Sequence, residues 1–204
     1  MTVKSRPFKS RKKEQTEATR HALLKVARKL FTDRGYANTA TEEVVRRARV
    51  TRGALYHHFR DKRDLFTAVL HEEEARLARE IAVIALVQPD PWSQLIAGNR
   101  AFLDACLDPA VQQIVLIDAP AVLGWAGFRE IDEGYFLGAT KNTLERAMDA
   151  GLIARQPVDP LAHIIFGATH EAAMHIAHAK DGAAARDSAG AAIIGLLSGL
   201  RLSE

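Results

Sequence analysis

The chain is poor in cysteine: Cys106 is the single one among 204 residues. One thiol excludes an intrachain disulfide framework and a thiolate metal cluster. It suits a reducing compartment, so a cytoplasmic location is expected. No apolar run approaches the roughly 20 residues that a membrane-spanning helix needs, and no membrane partner is expected. The N-terminus is basic without an apolar segment behind it, which argues against a secretory leader. Period-two alternation and internal repeats are missing, so neither a sheet nor a repeat array is indicated. A nucleophile motif, a glycine-rich phosphate loop and a metal-ligand set are missing too, so neither enzyme activity nor a cofactor is expected. His170-Glu171 followed by His175 lacks the zinc-protease spacing. Glu171, His175 and His178 share one helical face at i, i+4 and i+7, which reads as a solvated or interface face and not as a metal site.

What is present is strongly asymmetric. Residues 1–62 hold 17 Lys and Arg against 6 Asp and Glu, a balance of +11; the remainder holds 11 against 19, a balance of −8. A basic end joined to an acidic body gives the positive charge a local role, and polyanion binding is the first candidate. Residues 1–14, with Lys4, Arg6, Lys9, Arg11, Lys12 and Lys13, read as a disordered basic arm.

Helical periodicity governs the rest. A first helix is expected from about Gln15 to Arg34, on the stripe Leu23, Leu24, Ala27, Leu30 and Phe31, with Gly35 as its left-handed cap. Thr39-Ala40-Thr41-Glu42 has the form of a capping box, with Thr39 as cap, before a short helix over about 40–47. Thr51 caps a third helix over about 52–58 whose inner face is Leu55 and Phe59. A long fourth helix follows Asp61-Lys62. Asp90-Pro91, Asp108-Pro109 and Asp159-Pro160 each place a capping carboxylate before a proline at the first helical position. Helices are thus expected near 91–107, 109–119, 127–149 (closed by Gly151), 160–180 and 183–201. The fold class is all-α, with about nine helices: a helix-turn-helix domain over 15–62 and a helical bundle over 63–204.

Two short helices joined by the turn Ala48-Arg49-Val50 form a helix-turn-helix. The second helix is the right size for the major groove of B-DNA. Gly53 and Ala54 let the backbone approach the bases. Arg52 reaches a guanine edge, where a bidentate bond contributes ~1–3 kcal/mol of discrimination. Thr51, Tyr56 and His57 offer donors to phosphates at the flanks, and Lys62 offers a charge at a helix N-terminus. Leu55 and Phe59 are core, and His58 stays open between structure and contact.

Gly35-Tyr36, Thr39, Val44-Val45, Ala48, Val50-Thr51, Gly53 through Phe59, and Lys62 together resemble, over about residues 17–70, the DNA-binding signature of the TetR family of repressors. The resemblance implies phosphate contacts from Thr51, Tyr56, His57 and Lys62, base-edge contacts from Arg52, Gly53 and Ala54, and adds Thr39 to the DNA-facing set. It implies that the basic arm follows the DNA backbone or enters the minor groove. Arg49 departs from the pattern, which commonly has Gly in the turn. A positive φ there costs a non-glycine residue ~1 kcal/mol.

The second half carries aromatics on several helices. Phe102, Trp125, Phe128, Tyr135 and Phe166, with the polar Asp118, His163 and His170, are the candidate lining of a small-molecule pocket; the alternative is plain core. Residues 114–138 resemble one TetR subgroup. The last two helices are rich in Gly and Ala. The family resemblance implies that they form a four-helix homodimer interface, which sets two recognition helices on a palindromic operator. The expected partners are therefore operator DNA, a second copy of the chain and a small-molecule effector. An activator, a ligand-independent regulator and a nonspecific DNA-compacting protein are the rival readings.

Overall fold

The computed structural model describes residues 8–202. Among them are eight α-helices: α1 (Phe8–Arg34), α2 (Thr41–Ala48), α3 (Arg52–His58), α4 (Lys62–Leu86), α5 (Pro91–Ala105), α6 (Ala119–Asp149), α7 (Val158–His178) and α8 (Gly182–Ser198). A π-helical segment, Val111–Asp118, precedes α6. The only β-type pairing among the described residues is an isolated bridge between Ile153 and Arg201. The chain is all-α, as its periodicity requires. It divides into two compact units between Leu70 and His71, within α4.

The first unit is built on one apolar cluster. Leu23, Leu24, Ala27, Leu30 and Phe31 of α1 are buried with Val44 of α2, Leu55 of α3, Phe59, and Leu65, Phe66, Val69 and Leu70 of α4. Phe31 and Tyr36 both meet the Phe66 ring edge-on, at 5.3 and 5.2 Å between centroids. Gly35, at φ 75°, closes α1 as expected, its N–H donating to the Phe31 carbonyl at 2.8 Å. Arg49 stands in the left-handed region, φ 55° and ψ 41°, and its N–H donates to the carbonyls of Arg46 and Val45.

Several expectations need correction. The helix assigned to about Gln15 begins at Phe8. Lys9, Arg11, Lys12 and Lys13 have long unbranched side chains that favour helix, and charge alone did not prevent it. The rest of the basic arm, residues 1–7, lies outside the described residues. Thr39 is not the cap of α2. That position belongs to Ala40, without a side-chain hydrogen bond. The Thr39 hydroxyl instead donates to the Gly35 carbonyl at 2.9 Å, which leaves the side chain buried. It satisfies an orphan carbonyl at the end of α1, an equally good use of the same group.

In the second unit, Asp90 and Asp108 cap as expected, accepting from Ser93 N at 2.9 Å and Ala110 N at 2.8 Å. Asp159 does not. Helix α7 begins two residues earlier, at Val158, and Asp159 pairs with Lys141 inside the first turn, where a carboxylate still suits the helix dipole. The helix placed at 109–119 is π-helical over Val111–Asp118. Pro120 supplies a reason: its ring would clash with the Leu116 carbonyl in α register, and a widened turn just before it relieves this. Helix α6 is two helical segments meeting at a break at Gly124, φ 76° and ψ 158°; the segment after the break is the helix expected near 127–149, and the short one before it, from Ala119, was not expected as a separate piece. Gly151, at φ 69°, closes it.

The stretch Val111–Asp149 is long enough and, at a mean hydropathy of 1.3 over its most apolar window, apolar enough to cross a membrane by length and composition. The non-helical Gly124 interrupts it, and hydrocarbon has no partners for the backbone groups freed there.

Replacing Arg49 with Gly removes a side chain from the left-handed turn. The expected outcome is a gain of up to about 1 kcal/mol in stability, read as a higher denaturation midpoint at unchanged slope.

Candidate DNA-binding face and candidate cavity

Helix α3 has only seven residues, and each of its faces has a separate use. Leu55, with Phe59 just beyond, is buried, which fixes the opposite face outward. The Thr51 hydroxyl accepts from Ala54 N at 3.1 Å and caps the helix as the sequence indicates. Thr51, Arg52, Gly53, Tyr56 and His57 are exposed, and Ala54 is half-buried. A side chain built on Gly53 would meet nothing nearer than the Thr51 hydroxyl, at 3.9 Å. The outward surface is open there, so a flat partner can approach the backbone closely.

Charge surrounds this face. The Arg52 guanidinium lies 5.5 Å from the centre of the Tyr56 ring and 3.9 Å from Glu42, so it is loosely held and largely exposed. Lys62 is held more firmly. Its ammonium sits 4.2 Å from the centre of the Tyr36 ring and donates to the Ala37 carbonyl at 3.3 Å. Asp61 caps α4 by accepting from Asp64 N at 2.7 Å, which puts Lys62 at the first helical position. Glu43 gathers Arg34 and Arg47, both at 2.7 Å, with Arg46 at 3.6 Å, and so ties the end of α1 to α2. Arg46 and Arg60 are exposed basic groups that the sequence reading did not single out; their place beside a Thr-capped short helix was the available signal. Buried Thr39 has no side-chain surface to offer a phosphate. His58 is half-buried between His57 and Phe59, and burial with the charges of His57 and Arg20 holds its pKa below the usual value.

The second unit contains a cavity of about 240 Å³ lined by α4, α5, α6 and α7. Of the eight residues picked for a pocket, Phe102, Tyr135, Phe166 and His170 line it. Four do not. Phe128 is fully buried core behind His170, with ring centroids 5.3 Å apart. Trp125 is 56% exposed and packs edge-on against the His170 ring at 5.4 Å. Asp118 is buried where the π-helical segment meets α6. His163 accompanies the Asp159 carbonyl at 2.8 Å on the outside of α7. Glu171 is exposed, and no group of three His, Cys, Asp or Glu among the described residues is placed to hold a metal.

The sequence reading missed the acids. Asp132 lines the cavity, and Glu74 is buried near it. Relative exposure is 0% for Glu74, 3% for Asp132 and 5% for His170. Both Glu74 carboxyl oxygens, Asp132 Oδ2 and His170 Nε2 lack a hydrogen-bond partner. The signal was legible: Leu70, Glu74, Leu77 and Ile81 recur at helical spacing, and an acid in an apolar stripe breaks the pattern. Desolvation pushes Glu74 well above the usual carboxylate range, with the Asp132 and Glu73 charges adding to it. Desolvation likewise raises Asp132 to about 7, against the pull of Arg129. It lowers His170 to about 4, with Arg129 contributing, so this imidazole is neutral near pH 7. The Cys106 thiol, buried and near both acids, is pushed up to about 12 and is inert.

A capped helix-turn-helix in one unit and an apolar-walled cavity in another define a class: helical DNA-binding proteins with a separate sensing body. Residues 23–69 match the family model for bacterial regulatory proteins of the tetR family, and residues 92–200 match the model for the tetracyclin repressor-like C-terminal domain. The chain belongs to the TetR family, and it is a DNA-binding transcriptional regulator. It is 24% identical over 173 residues to the TetC protein of transposon Tn10 from Escherichia coli, covering 85% of this chain and 87% of that one. It is 38% identical over 84 residues to the HTH-type transcriptional regulator AcrR of Shigella flexneri, covering 41% of this chain and 39% of AcrR. A TetR-family regulator of Pectobacterium atrosepticum has the same fold, with a TM-score of 0.84 and 36% identity over 93% of this chain and 97% of its own.

The buried groups give stability two opposed pH dependences. His170 contributes stability that is present above the ordinary imidazole pKa and lost as pH falls toward 4. Asp132 contributes stability that is present below the ordinary carboxylate pKa and lost as pH rises through about 7. Asp132→Asn removes the second. Relative to the variant, the native chain is expected to lose stability between about pH 4 and 7, at no more than about 1.4 kcal/mol per pH unit for one proton. Denaturation midpoints of both proteins across that range check this.

Proposed function

We propose that the protein is a homodimeric repressor that occupies a palindromic operator in the cytoplasm and leaves it when a small molecule fills the cavity of the second unit. The observation that carries this is α3: its buried Leu55 side, Thr51 cap and open Arg52–Gly53–Tyr56–His57 face suit insertion into the major groove. Arg52, Gly53 and Ala54 face base edges, while Thr51, Tyr56, His57 and Lys62 meet phosphates. The ammonium of Lys62 is pre-positioned by Tyr36, so binding a phosphate costs it little side-chain entropy. No catalytic role is assigned, in keeping with a family made of regulators.

Dimerisation through α7 and α8 is supported by their surfaces. Ile164 of α7 and Leu196 of α8 are each 68% exposed, and Ala191, Ala192 and Gly195 beside Leu196 are exposed and small. Apolar groups flanked by small ones let helices of two copies approach closely. Effector release acts on α4, which carries Lys62 at its start and lines the cavity with Ala78, Ile81 and Ala82. Tyr135 lines the cavity and its phenol bonds His71 Nδ1 of α4 at 3.1 Å, a direct lever on that helix. An effector shifts the equilibrium only by its different affinity for the two states.

Footprinting on the DNA upstream of the protein's own gene and its neighbours is the primary test. A protected palindrome is expected; equal affinity for random DNA at physiological salt overturns the reading. On that operator, Lys62→Ala should weaken binding to every sequence alike and lower the salt slope by about one. Arg52→Ala should instead cost ~1–3 kcal/mol at one base pair and relax preference there.

Leu196→Glu puts a charge into the proposed interface. Sedimentation should show a monomer that keeps its helicity and loses operator affinity. A dimer of unchanged strength would remove α8 from the interface.

A further inference from the structure

We propose that the cavity is a receptor for an organic cation with an apolar body, an aromatic or aliphatic ammonium compound, with Asp132 as its counter-ion. This rests on the cavity being the effector site. Three observations carry it. First, the lining contains no Lys or Arg, and its ionisable groups are Asp132, Tyr135 and His170. An anionic effector would meet no positive charge in the lining. Second, the polar atoms buried there lack partners. Asp132 Oδ2 accepts nothing, and His170 Nδ1, at 3.8 Å, is too far to donate to it. An orphaned buried carboxyl costs stability, and such a cost persists where a ligand makes use of the group. Third, the walls suit a cation's organic part: Phe102, Tyr135, Phe136 and Phe166 offer rings to an ammonium.

The chain's own positive charge does not fill this role. Arg129, on the same helix as Asp132, pairs with Glu133 and lies over the Phe166 ring at 4.7 Å and the Trp125 ring at 5.9 Å. A metal ion is disfavoured, because no three candidate ligands among the described residues converge. The groups acting on Asp132 are Arg129 and Glu133 of its own helix, His170 of α7, Glu74 of α4 and the Cys106 thiol after α5. Arg129 is the one positive group among them. A cation entering the cavity binds the ionised carboxylate, so a protonated Asp132 gives up its proton to solvent on binding.

The probes are benzyltrimethylammonium, which cannot titrate, and its uncharged carbon isostere neopentylbenzene. Calorimetric titrations of the full-length protein at pH 8 and pH 6 read both. The cation should bind at pH 8 and weaken about tenfold toward pH 6 as Asp132 takes up a proton, with no such change for the isostere. Asp132→Asn should lower cation affinity at least about tenfold at pH 8 and leave the isostere bound, which also shows that the variant folds. Failure of the cation to bind, a pH-independent affinity, or equal losses for both probes in the variant overturns the counter-ion assignment. Operator release is measured alongside. Binding with the expected signatures but an intact DNA complex keeps the cation site and removes its effector role. Release by the isostere alone keeps the effector role and removes the cation.

Discussion

A seven-residue helix has no stability of its own in water, and the DNA-binding unit depends on overcoming that constraint. Nucleation fixes several residues for a single hydrogen bond, and α3 is too short to recover the cost by propagation. It persists because Leu55 and Phe59 are buried in the core of the first unit, and because Thr51 takes up one of its orphan amides. The same burial sets the helix's rotation about its own axis. Arg52, Gly53, Tyr56 and His57 therefore point outward as a group, and the chemistry of the face follows from the packing of its back.

Much of this unit was legible because its signals are local. A cap, a glycine at a left-handed position and an apolar stripe are short-range patterns, and Gly35 and Thr51 stand where they indicate. The failures are also local in kind. Thr39 had two orphan sites within reach, and its hydroxyl went to the preceding helix rather than the following one. Asp159 is outranked as a cap because α7 starts two residues sooner. In the second unit the helices were found, but the cavity was half found. Aromatics that reach the lining and aromatics that form core have the same spacing, so Phe102 and Phe128 look alike in the sequence. Which of them meets empty space depends on neighbours distant in the chain.

The acids were the better guide and were overlooked. An apolar stripe containing Glu74, and a helix face that turns Asp132 inward, contradict the usual sorting of charge to the surface. Such contradictions mark places where stability has been given up for another purpose. Here neutral His170 and two carboxyls with raised pKa values sit within one bundle, so near pH 7 its charge responds to small changes in proton or ligand occupancy.

The break at Gly124 leaves Trp125 on the outside of the bundle, with its indole edge against His170 and Phe128. The imidazole of His170 thus separates an exposed indole from the cavity interior. The chain's other tryptophan, Trp92, is buried at the start of α5. The molecule consequently carries an intrinsic optical gauge, in which emission from a solvent-facing indole registers what happens on the far side of one ring.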